Sequence, residues 1–210
     1  MQQEQLKQFA FVQEKLHATP LSMDDIVTLI LLQQLNQATL TQLIEASAIP
    51  RTSMSRSLRK LSKLDLISES VDTHDLRKVN YTIAMKGDGV LYELMRGGNA
   101  SAKVLLNGYR VLRAAQTEPS DYAGRVLLLA LYYAHKEGKL LSITHIIAQT
   151  GFARSRVSMC LSRLVEQGFV EEAEEHNAPS RQRQDARVRN WKLTRTGVQQ
   201  VKKMLALQKA

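Results

Sequence analysis

The chain has 210 residues, 44% apolar and 23% charged, an ordinary composition for a globular protein able to bury a core. A net charge of +9 and a pI of about 9.8 favour an acidic partner, nucleic acid being the commonest. A single cysteine, Cys160, excludes an internal disulfide, and the longest apolar run, nine residues at 126–134, is far short of the roughly 20 a membrane helix needs. The N-terminus, MQQEQLKQFA, has no basic start followed by an apolar run, so no secretory signal is read. The expectation is a cytoplasmic protein with no membrane segment. The charge is uneven: residues 1–100 hold 11 Lys+Arg against 11 Asp+Glu, while residues 101–210 hold 18 against 9.

In chain order, apolar periodicity predicts a helix over 3–18 and a second over 22–35, with Ser22 as its cap. Two short helices follow, 41–47 and 51–64, separated by a turn. Then come a short apolar strand (LIS), a polar loop, a returning strand (VNYTIA) and a closing helix at roughly 86–96. GGNA at 97–100 reads as a hinge. The same order then recurs: helices at 101–116 and 120–137, the latter capped by Ser120, short helices at 144–150 and 154–167, strands FVE and RNWKLT, and a helix at 195–207.

The recurrence extends to single residues. A shift of 103 sets Leu43 on Ile146, Ile49 on Phe152, Leu58 on Leu161, Leu61 on Leu164 and Ile67 on Val170. Thr41, Arg51 and Ser55 fall on Thr144, Arg154 and Ser158 by the same shift. DLRKVNYTIAMKG (75–87) and DARVRNWKLTRTG (185–197) also match, but at a shift of 110, so seven extra residues stand before the second motif. APSRQRQ at 178–184 is the natural insert, since loop tips tolerate length changes. We therefore expect two domains, 1–97 and 98–210.

Helix, helix-turn-helix and a two-stranded hairpin make the winged-helix pattern, in which the second helix of the pair enters the DNA major groove. In 51–64, Met54, Leu58 and Leu61 form one buried stripe. The opposite face carries Arg51, Thr52, Ser53, Ser55, Arg56, Arg59 and Lys60. In 154–167 the stripe is Val157, Leu161 and Leu164, leaving Arg154, Ser155, Arg156, Ser158, Met159 and Arg163 outside. Small hydroxyls permit close approach and bond phosphates, and Arg can grip guanine or a phosphate with two bonds. No acidic residue occurs in 51–64 or 154–165. The hairpins supply Arg77 and Lys78, then Arg181, Arg183, Arg187 and Arg189, cations suited to a narrow minor groove. Asp75 and Asp185 stand two residues before an Arg and are expected to hold its side chain. EEAEE at 171–175 reads as a solvated strand start rather than a metal site.

ARSRVSMCLSRLVEQGFV followed by DARVRNWKLTRTG resembles the MarR family of winged-helix regulators. The shared pattern is Leu164, Gly168, Phe169 and Val170, then Asp185, Arg187, Leu193, Thr194 and Gly197. The first copy keeps Asp75, Arg77, Ile83 and Gly87, but Ala84 replaces the Thr and Asp65 the Gly. The resemblance implies duplex-DNA binding and transcriptional control. Ordinary members carry one such unit and dimerise through terminal helices; this chain resembles a fused, pseudo-dimeric form. It leaves room for self-association and for a small-molecule effector.

No glycine-rich phosphate loop, His-Glu-x-x-His or paired cysteine is present, and the five histidines lack ligand spacing. No enzyme, metal or cofactor is therefore expected. Cys160 reads as a buried, inert thiol, and Tyr132 and Tyr133 as core residues. The reading is a mainly α protein with small β wings: two tandem winged helix-turn-helix domains regulating transcription. A plasmid-type replication initiator and a chromosome-organisation protein with tandem winged helices are the alternatives.

Overall fold

The computed structural model describes residues 3–73, 75–96, 101–114, 121–173 and 189–206. The elements are α1 (Gln3–Leu16), α2 (Met23–Leu35), β1 (Ala38–Thr39), α3 (Leu40–Ser47), α4 (Arg51–Lys63), β2 (Ile67–Val71), β3 (Val79–Ile83) and α5 (Met85–Met95). They continue as α6 (Ala102–Ala114), α7 (Tyr122–Lys136), β4 (Leu141–Ser142), α8 (Ile143–Thr150), α9 (Arg154–Glu166), β5 (Val170–Glu172), β6 (Asn190–Leu193) and α10 (Arg195–Ala206). The second eight elements follow the order of the first eight. Helices with small antiparallel sheets are the layout of a winged helix-turn-helix.

The residues group into two compact units, Phe11–Ala114, here the central unit, and Met1–Ala10 with Ala115–Ala210, here the split unit. In the central unit α2 is the hub. It is apolar nearly all round, as a helix surrounded by others must be, and it touches α3, α4, α5 and α6. Its start is fixed by a capping box between Ser22 and Asp25. α6 docks on this hub. Tyr109 is fully buried and donates its hydroxyl hydrogen to Asp24, while Arg113 donates to both Asp24 oxygens at 2.7 and 3.1 Å. Burial, then the Asp24 carboxylate, push the Tyr109 hydroxyl far above the ordinary tyrosine range, so it stays a donor. Arg110 Nε donates to the Ala46 carbonyl at the end of α3.

The split unit repeats the plan around α7, buried over most of Ala123–Tyr132. Its cap is Asp121, which accepts the Gly124 N–H at 2.7 Å. The expected cap, Ser120, lies outside the described residues, as do GGNA at 97–100 and APSRQRQ at 178–184. Phe9 meets Tyr122 and Phe152 edge-on at 6.3 and 6.4 Å, and those two rings meet at 6.1 Å. The division between units therefore falls inside α1.

Each unit holds one three-stranded sheet, in the order β1-β3-β2 and β4-β6-β5. The registers correspond. Ala38 faces Tyr81 and Leu141 faces Trp191; Glu69 faces Tyr81 and Glu172 faces Trp191. Ala38 and Leu141, like Glu69 and Glu172, are 103 residues apart, while Tyr81 and Trp191 are 110 apart, so the extra seven residues fall between Glu172 and Asn190. The sequence did not reveal β1 and β4, because two residues are too few to show a period.

The closing Gly of each motif has a steric reason. A Cβ on Gly87 would lie 2.1 Å from the Leu66 carbonyl oxygen, and one on Gly197 2.1 Å from that of Phe169. Asp65 and Gly168 both adopt the left-handed conformation, at φ 56° and 71°. Thr194 caps α10: its hydroxyl accepts the Gly197 N–H at 3.0 Å and donates to the Gly168 carbonyl at 2.7 Å. Ala84, in the same place, gives α5 no side-chain cap.

Candidate nucleic-acid interface

α4 is amphipathic. Met54, Ser57, Leu58 and Leu61 are buried, while Arg51, Thr52, Arg56 and Arg59 are exposed and Ser53 and Ser55 half-buried. α9 buries Val157, Cys160, Leu161 and Leu164; Arg154, Ser155, Met159 and Arg163 are exposed, and Arg156 and Ser158 half-buried. Each helix thus presents hydroxyls and guanidinium groups on one side.

The cations are not equally free. Lys60 Nζ lies 2.7 Å from Asp25 Oδ2 on α2. Asp25 is buried, and it also accepts the Ser22 backbone N–H and hydroxyl and the Ser57 hydroxyl. In the split unit Arg163 lies 3.5 Å from the capping carboxylate of Asp121. Arg156 stands one turn before Cys160 on α9, and its charge favours the thiolate. Burial, followed by Asp121, raises the Cys160 thiol above its usual range, with Arg156 and Arg163 opposing. Arg51, Arg56, Arg59 and Arg154 have no ion pair among the described residues. The holding carboxylates Asp25 and Asp121 were missed by the sequence reading. The Ser-x-x-Asp spacing of 22–25 was the available signal for the first.

Beside each helix runs a cleft toward the returning strand. In the central unit it measures about 330 Å³ and is lined by Leu40, Ser55, Arg59, Lys63, Glu69 and Tyr81. In the split unit it measures about 440 Å³, between Ser142, Thr144, Arg154, Ser158, Arg189 and Trp191. Five lining positions correspond: Leu40 with Ile143, Ser55 with Ser158, Leu58 with Leu161, Arg59 with Ser162 and Tyr81 with Trp191. Burial and the facing Glu69 carboxylate raise the Tyr81 hydroxyl, which keeps its proton.

The first hairpin is closed by backbone bonds from Asp72 N–H to the Lys78 carbonyl, 2.9 Å, and from Lys78 N–H to the Asp75 carbonyl, 2.8 Å. Asp75 supports this turn differently from the sequence expectation. Its carboxylate accepts the Arg77 backbone N–H at 3.1 Å and lies 3.6 Å from Lys78 Nζ, so it shapes the backbone instead of gripping the guanidinium. Leu76 and Arg77 project from the tip. In the second hairpin Arg181, Arg183, Asp185 and Arg187 lie outside the described residues. Arg189 is exposed, with Nε 3.6 Å from Glu172. Among the described residues no group of three or more His, Cys, Asp or Glu could hold a metal ion, and no helix is long and apolar enough to cross a membrane.

No curated protein matches the sequence. Among solved structures, the chain is similar to the adhesin competence repressor AdcR of Streptococcus pyogenes, at 20% identity over 57% of this chain and 81% of that one, with a TM-score of 0.36. It is also similar to the DIP2311 protein of Corynebacterium diphtheriae, at 17% identity over 81% of this chain and 26% of that one, with a TM-score of 0.28. Residues 127–174, from within α7 to just beyond β5, match the IclR helix-turn-helix domain family. Over this stretch, which holds α8 and α9, the chain is similar to a helix-turn-helix domain of the IclR type.

Proposed function

We propose that the chain is a sequence-specific regulator of transcription that binds duplex DNA through two winged helix-turn-helix units in tandem. α4 and α9 enter the major groove, and the β2–β3 and β5–β6 hairpins lie against the flanking backbone or minor groove. The observation that carries this reading is the outward face of α4, where Arg51, Arg56 and Arg59 stand beside Thr52, Ser53 and Ser55 with no acidic residue on the helix. Phosphate contacts by such residues set position, and base-edge contacts set sequence. The IclR-type match over α8 and α9 supports the same role for the second unit. The MarR-like hairpin motif and the way α6 docks on α2 support a single chain that does the work of a dimer.

The test is titration of the full chain with duplex DNA from the region upstream of its own gene and with random duplex, at several salt concentrations. Tighter binding to the first, with a footprint spanning two successive major grooves about 34–36 Å apart, is expected. Equal, weak binding to both would overturn sequence-specific regulation.

A further inference from the structure

The sixth residue of α4 is Arg56, and that of α9 is Met159. The two hold one station. Each precedes a buried small residue, Ser57 or Cys160, and each lies between buried stripes that correspond residue for residue. Arg56 is exposed, with no ion pair among the described residues. Met159 is 41% exposed, a large apolar side chain on an otherwise polar face. Its neighbours one turn either way are Ser155 and Arg156 on one side and Ser162 and Arg163 on the other, and the thioether stays partly open among them. A flexible thioether fits an irregular apolar contact well.

We infer that Met159 is a specificity-determining residue that reads the C5-methyl group of a pyrimidine in the major groove, while Arg56 reads guanine at the corresponding place in the other half-site. The methyl is the one apolar feature a base edge offers there, and guanine O6 and N7 are the pair of acceptors suited to Arg. The inference rests on the proposed DNA binding and adds its chemistry. The half-sites then differ at this position, and the target is not a true palindrome. The methyl can belong to thymine or to 5-methylcytosine.

The test begins with selection of the tightest duplexes from a random pool by the full chain. Each thymine is then replaced singly by uracil, which removes only the methyl. At one position on the α9 side affinity should fall about fourfold, the size of one lost methyl contact. Met159→Ala, which should melt as the parent does, should bind the thymine and uracil duplexes equally. Placing cytosine or 5-methylcytosine there distinguishes the sources: recovery with 5-methylcytosine means the methyl alone is read, and no recovery means the thymine edge is read with it. A fourfold loss that persists in Met159→Ala, or no sensitive position, overturns the inference while DNA binding stands. Failure to select any duplex overturns both.

Discussion

Lys60 on α4 lies 2.7 Å from Asp25 on α2, and Arg163 on α9 lies 3.5 Å from Asp121 at the start of α7. The two pairs sit at equivalent stations, yet the carboxylates come from different helix positions, N3 in one and the N-cap in the other. Both tie the outward helix to the start of the hub helix. Asp25→Ala removes a capping partner and strands the Ser57 hydroxyl, so urea unfolding should show a loss of about 2–3 kcal/mol. Lys60→Ala, at a half-exposed site, should cost less than about 1 kcal/mol. Equal losses would mean the ion pair, not the hydroxyl cage, carries the contact.

Gly87 and Gly197 each face a backbone carbonyl that cannot retreat without moving its strand. Gly87→Ala and Gly197→Ala should each destabilise by about 1–3 kcal/mol, read as a lower melting temperature. Ala84→Thr should act the other way. It supplies α5 with the cap that Thr194 gives α10, and about 1 kcal/mol of added stability is expected.

Free and engaged cations should separate in a salt titration. Arg51→Ala and Arg59→Ala remove groups with no ion pair among the described residues, and each lost phosphate contact should flatten the log-log slope by about 0.9. Arg163→Ala should change the slope less, since Asp121 already holds that guanidinium. A slope change for Arg163 as large as for Arg51 would contradict this ranking.

The Cys160 thiol is raised by burial, so in the folded chain it keeps its proton at pH values where the unfolded chain's thiol begins to ionise. The stability tied to it is therefore complete below the ordinary thiol range and declines as pH rises through the raised value. Since thiolate is the reactive form, a disulfide reagent at pH 8 should label Cys160 slowly until denaturant opens the chain. Rapid labelling of the folded protein would contradict this burial.

Much of this was legible in the sequence, because apolar period and repeated spacing report the same elements twice. The stripe Met54, Leu58 and Leu61 marked α4, and the shift of 103 marked its counterpart. What stayed hidden depended on partners far apart in the chain. Asp24 reads as one of two acids at a helix start, but Tyr109 and Arg113, 85 and 89 residues away, converge on it. Such long-range pairings leave no local pattern to find.

The placement of α6 has a consequence for cutting the protein. A protease nick within 97–100 would leave an N-terminal piece without the helix whose Tyr109 and Arg113 seal Asp24, and a C-terminal piece without Phe9 against Tyr122 and Phe152. Neither piece is a finished folding unit, because each compact unit takes residues from both sides of the nick. The pieces should therefore be poorly folded when expressed separately and regain order when mixed, as with a complemented enzyme fragment.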